Sequence, residues 1–216
     1  MSGPRFARVD QSKLRESVYD ALRDAFTRGA FAPGETLSLR TLAEQLGTSM
    51  TPVREAVRRL VAEGALIDTP SRTLAVPPFD AARMRELKSA RLALEALLLD
   101  RAIDRMDEAT IPRLAAIIEA PRTTGDTPDL KQNYDFHFEL YRHSRSTVIL
   151  PLVEALWLQY GAFLNLVVRE QAALEVAEHI YHEKILEALN SNDRAAAQEA
   201  LAQDIERSFR LLLPDS

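Results

Sequence analysis

Cysteine is absent from the 216 residues, which excludes disulfide bonds and thiolate metal sites and fits a reducing cytoplasm. Long apolar runs are absent as well. Nothing approaches the roughly eighteen consecutive apolar residues that a membrane-crossing helix needs, and no charged-then-apolar leader opens the chain. Neither a membrane partner nor a signal peptide is therefore expected. Net positive charge is also missing, the formal balance being −5. That balance argues against a nucleic-acid partner until it is split, for the charge is unevenly spread. Residues 1–78 hold 11 basic and 9 acidic side chains, a net of +2, whereas 79–216 hold 16 and 23, a net of −7. A modestly positive reader joined to an acidic body remains consistent with duplex binding.

The length suits two domains. Pro77-Pro78 interrupts helix and central strand alike and divides the chain. The expected organisation is a tail over 1–11, a first domain over 12–76, a linker over 77–79 and a helical domain over 80–213. The fold class is mainly α, a winged helix-turn-helix followed by an antiparallel helical bundle.

Residues 33–64 carry the clearest pattern. Leu39, Leu42, Ala43 and Leu46 recur at helical spacing, with Ser38 placed to cap the helix and Gly47 to end it. After a tight turn, Val53, Ala56, Val57, Leu60 and Val61 form a second apolar stripe, and Arg54, Arg58 and Arg59 lie off it. Ser49 and Thr51 stand at that helix's N-terminus. Hydroxyls, a positive helix end and an exposed arginine suit a DNA groove and its phosphates.

Three motifs, Pro33-Gly34-Glu35-Thr36-Leu37, Leu42-Ala43-Glu44-Gln45-Leu46-Gly47 and Ser49-Met50-Thr51-Pro52-Val53-Arg54-Glu55-Ala56, resemble the winged-helix domain of GntR-family bacterial transcription regulators. The resemblance spans about residues 12–76 and implies that Arg40, Ser49, Thr51 and Arg54 meet the operator. Met50 stands where the family usually has arginine, which removes one potential guanine contact. Leu66-Ile67-Asp68 and Leu74-Ala75-Val76 are predicted to pair as the wing, with Arg72 at its tip as a phosphate or minor-groove contact. The alternative is a solvated hairpin with a stray arginine.

Beyond Pro78 the periodicity predicts six helices, at about 80–104, 108–119, 128–143, 149–169, 172–190 and 193–213. Thr127-Pro128 is expected to cap the third, and Asn190-Ser191-Asn192-Asp193 to turn into the last. Arg91-Leu92-Ala93-Leu94-Glu95, Asn133-Tyr134-Asp135-Phe136-His137 and His182-Glu183-Lys184-Ile185-Leu186 make this half resemble the all-helical effector domain (FCD) of the FadR-type branch. Asn133 and His137 are four apart, and His182 and Asp204 sit among apolar positions, so four metal-competent groups face inward. The resemblance implies that Asn133, His137, His182 and Asp204 hold a divalent metal, zinc, nickel or manganese; aspartate replaces the usual fourth histidine. The alternative is a hydrogen-bonded polar cluster. Arg91 and Glu95 read either as an ordinary surface pair or, by resemblance, as residues of an effector cavity. His143 and His179 are expected at surface or supporting positions, and Trp157, Phe163 and Leu166 in the core or an interface.

The expected protein is a ligand-responsive transcription regulator that binds a palindromic operator as a homodimer and takes a small organic acid near its metal. It is not expected to be an enzyme. The rival readings are a metal-dependent hydrolase, because His/Asp sites also activate water, and a structural adaptor.

Overall fold

Residues 11–69, 73–121, 129–173 and 179–213 are described by the computed structural model of the chain. The first half runs α1 (Gln11–Thr27), β1 (Thr36–Leu37), α2 (Leu39–Gln45), α3 (Met50–Ala62), β2 (Ile67–Asp68) and β3 (Leu74–Ala75). Ser38 caps α2 by accepting from the Thr41 amide. Gly47 follows it at φ 61°, a left-handed turn that an L side chain resists, and the chain then enters α3. Pro52 lies in the first turn of α3, where its missing N–H costs nothing. The wing strands pair antiparallel, Ile67 opposite Ala75 and Asp68 opposite Leu74. The sequence pattern did not reveal β1, which pairs with β3 on its other side to give the order β1-β3-β2. Two residues are too short to show a period. Arg72, the expected wing tip, falls outside the described residues.

The second half consists of α4 (Ala81–Ile103), α5 (Thr110–Glu119), α6 (Leu130–Arg142), α7 (Ile149–Ala173), α8 (Ile180–Asn190) and α9 (Arg194–Arg210). Three boundaries differ from the sequence pattern. The cap of α6 is Asp129, whose carboxylate accepts from the Lys131 and Gln132 amides at 3.0 and 3.1 Å; Thr127-Pro128 lies outside the described residues. The fourth bundle helix runs on to Ala173, and the fifth begins at Ile180 rather than at 172. At the α8–α9 turn, Asn192 adopts φ 54° and Asp193 caps α9 through the Ala196 amide.

Each half has its own core. Leu42, Val53, Leu60, Leu66 and Val76 fill the first; Met84, Leu98, Phe136, Trp157, Ile185, Leu201 and Phe209 fill the second. One helix serves both, because Leu158 and Ala162 of α7 are buried in the first cluster. Gly161 makes that docking possible. A Cβ there would stand 2.3 Å from the carbonyl oxygen of Phe26 at the end of α1. Arg83 ties the same junction by donating to Gly64 O at 2.9 Å and Gln159 Oε1 at 2.8 Å.

Candidate DNA-reading surface and metal-effector site

The reading surface follows from the apolar stripe of α3. Burying Val53, Ala56, Val57 and Leu60 turns Arg54 and Arg58 outward, while Ser49, Met50 and Thr51 stay exposed at the helix's N-terminal end. Ser49 occupies the N-cap position with extended backbone, yet its hydroxyl makes no capping bond. Arg40, Arg54 and Arg58 line one concavity of about 500 Å³ with Ser38, Asp68 and Thr73, between α2, α3 and the wing. Arg58 joins the sequence-expected residues there. Arg59, one position on, turns the other way: it lies 3.6 Å from the Tyr19 ring centroid and pairs with Glu16 and Glu63. Met50 is 48% exposed.

Three helices assemble the second site. His137 comes from α6, His182 from α8 and Asp204 from α9, and one donor atom from each lies within 4.8 Å of the other two. His137 Nε2 is 3.1 Å from Asp204 Oδ2 and 3.2 Å from His182 Nε2, and His182 Nε2 is 4.0 Å from the same oxygen. Both histidines are buried. Burial pushes the His182 imidazole down to about 3, so its ring is neutral, the form that ligates metal. Burial would raise the Asp204 carboxyl, but the hydrogen bond to His137 and the nearby positive field outweigh it and hold the group well below its ordinary value. Two imidazole nitrogens and one carboxylate oxygen form a donor set that a divalent first-row ion accepts. Asn133 sits one turn before His137 on α6, half-buried.

Arg91 and Glu95 are not a surface pair. Their side chains are 3% and 0% exposed, with Arg91 Nε 2.5 Å from Glu95 Oε1. The guanidinium lies 4.3 Å from the Trp157 ring centroid and 5.0 Å from that of Tyr160. Glu95 also accepts from the Tyr141 hydroxyl at 2.6 Å, and Tyr141 reaches His137 Nδ1 at 3.2 Å. The pair therefore stands directly behind the His/His/Asp group. Tyr141, Gln132 and His179 surround this group without being among the sequence-expected ligands. The sequence leaves His179 at a surface or supporting position, and Tyr141, four residues after His137, shares its helix face. His143 ends α6 beside Thr110, and Trp157 and Phe163 lie in the core while Leu166 is partly exposed.

A winged helix-turn-helix head docked on a helical body with a buried polar site defines a class: DNA-binding regulators that sense a small molecule. Comparison with known proteins makes this specific. The family model described as bacterial regulatory proteins, gntR family, matches residues 14–76, and the FCD domain model matches residues 86–207. The chain belongs to the GntR family of transcription regulators, in the FadR-type branch whose effector half is an FCD domain. It is 28% identical over 215 residues to the HTH-type transcriptional regulator McbR of Escherichia coli, covering 97% of each chain. The solved E. coli McbR/YncC structure superposes with a TM-score of 0.84 over 96% of this chain and 99% of that one, at 28% identity. The HTH-type transcriptional regulator YdhC of Bacillus subtilis, marked uncharacterized, is 27% identical over 188 residues, 84% of this chain and 83% of its own. These families and relatives are transcription regulators, so the protein is a regulator and not an enzyme, which sets the hydrolase reading aside.

Proposed function

We propose that the protein binds a two-fold symmetric operator as a homodimer and that a small carboxylate effector, taken up beside a divalent metal in the helical domain, changes that binding. Arg40, Ser49, Met50, Thr51 and Arg54 face the half-site, and the sequence adds Arg72 as a further expected contact. One recognition helix reads one half-site, so a symmetric operator needs a second copy. Exposed Leu97, Val148 and Leu152 on the helical half offer it apolar surface.

The observation that carries the reading is the convergence of His137, His182 and Asp204 inside a domain whose family binds effectors. These three, with Asn133 nearby, would hold zinc, nickel or manganese, and such an ion attracts a carboxylate as a Lewis acid. Arg91 adds positive charge behind the site; Glu95 neutralises it there, so direct clamping of an effector by Arg91 requires Glu95 to release it. The effector acts by favouring one placement of the two heads, transmitted through α7, which packs into both cores.

A gel-shift titration of genomic fragments, repeated with metal and a panel of small carboxylates, tests this reading. A preferred symmetric fragment, bound by two copies and released or tightened by one acid only when metal is present, is the expected result. Binding without fragment preference would overturn the operator assignment. An acid response indifferent to metal would overturn the metal assignment.

A further inference from the structure

Beyond the ligands, both imidazoles are gripped from behind, and the two grips determine where their protons sit. On the α8 side the constraint begins at Gln132. Its amide nitrogen donates to the carbonyls of Ile117 at 2.5 Å, Ile118 at 3.0 Å and Ala120 at 3.1 Å, so its oxygen is the atom turned to His179. An amide oxygen only accepts. His179 Nε2, 3.2 Å away, must therefore carry the proton, which leaves His179 Nδ1 as an acceptor in the neutral ring. His182 Nδ1 lies 3.1 Å from it and is the donor of that bond. The proton of neutral His182 is thus on Nδ1, and its Nε2 lone pair is bare.

The α6 side reaches the same end by different chemistry. Glu95 accepts from the Arg91 guanidinium at 2.5 and 3.3 Å and is a carboxylate. Tyr141 can only donate its hydroxyl proton to it, across 2.6 Å. The Tyr141 oxygen then accepts, and the group 3.2 Å away is His137 Nδ1, which must bear a proton. With Nδ1 so engaged, Nε2 is the His137 atom left facing His182 Nε2 and Asp204 Oδ2. The two Nε2 atoms stand 3.2 Å apart beside Asp204 Oδ2, and a divalent metal satisfies all three at once.

We propose that Gln132 with His179, and Glu95 with Tyr141, are positioning residues that fix His182 and His137 as Nδ1–H tautomers and so present both Nε2 atoms beside Asp204 for a metal. The assignment rests on the metal reading above only for its purpose; the tautomers themselves are a separate observable. It gives the Arg91–Glu95 pair a task in the site without contact with metal or effector. It also makes the two halves of the grip independent, since they share no hydrogen-bonding group outboard of the imidazoles.

Long-range nitrogen–proton correlation of the metal-free protein reads the rings directly. His182 is expected as the Nδ1–H form and His179 as the Nε2–H form. An Nε2–H form of His182 overturns the proposal. Zinc titration of the parent, His179→Phe and Tyr141→Phe supplies the second readout, with circular dichroism melts verifying that the metal-free variants fold. Each variant removes one hydrogen-bond partner but keeps a ring in place, and zinc affinity should fall about 10–100-fold. In the double variant the losses should multiply. Variants that fold and bind zinc as tightly as the parent overturn the proposal. A parent that takes up no zinc while its rings show the expected tautomers removes the metal reading and upholds the relay. If neither variant folds, the ring forms of the parent decide.

Discussion

Two Arg-x-x-x-Glu pairs at identical spacing, Arg40–Glu44 on α2 and Arg91–Glu95 on α4, contrast the two halves of the molecule. The first lies on the reading head with side chains 82% and 64% exposed; the second lies in the helical body at 3% and 0%. On the head, water screens the pair and leaves Arg40 free to exchange Glu44 for a phosphate. In the body, the charges face no solvent, and Glu95 satisfies both a guanidinium and a tyrosine hydroxyl. Identical local sequence chemistry thus serves a replaceable surface contact in one place and an obligatory buried network in the other. The head meets its ligand with an open surface, whereas the body encloses its polar groups and holds them with one another.

The sharpest break is expected on the reading face. Arg54→Ala should weaken operator binding by roughly 1–3 kcal/mol for each half-site contact, felt twice in a dimer, with the melting temperature nearly unchanged. Fluorescence anisotropy at constant salt measures it; undiminished affinity would show that α3 does not read through Arg54. In the body, Glu95→Ala leaves Arg91 buried without its partner and should cost about 3–5 kcal/mol of stability by urea unfolding. A loss below about 1 kcal/mol would mean that water reaches the pair.

Metal removal should matter less than breaking that pair. A metal at a hundredfold its dissociation constant adds about 2.7 kcal/mol, so EDTA should lower the melting temperature and zinc restore it. The head's operator contacts, measured at fixed temperature well below the melt, should keep their salt dependence. Gly161→Ala tests the junction between the halves: a Cβ 2.3 Å from Phe26 O must move α1, at a cost of about 1–3 kcal/mol. Differential scanning calorimetry should then show the head's transition separating from the body's. The smallest effect belongs to Glu44→Ala, expected within about 0.5 kcal/mol in stability. A larger loss would erase the contrast between the two pairs.

The head was legible because its information is local. Ser38, Gly47, the stripes of α2 and α3 and the outward Arg54 are all determined within a few residues of one another, and helical periodicity alone turns them outward or inward. The helix count of the body was legible for the same reason. The start of its fifth helix at Ile180 was not, since neither Gly nor Pro stands just before it. His137, His182 and Asp204 were recognisable one by one as polar residues on apolar faces, and the resemblance to the family grouped them. The partners of Gln132 and Tyr141 are not legible, because polarity alone gives no sign of which carbonyl or carboxylate will stand opposite.

The sequence by itself determined a DNA-reading head, a helical body and the inward placement of the candidate ligands, because helical periodicity and capping act over a few neighbouring residues. Only the tertiary structure decided that Arg91–Glu95 is buried while Arg40–Glu44 is not, that α7 joins both cores through Gly161, and which imidazole nitrogens face Asp204. Burial, close backbone approach and proton placement depend on groups from helices distant in the chain, and no local pattern encodes what will pack against them.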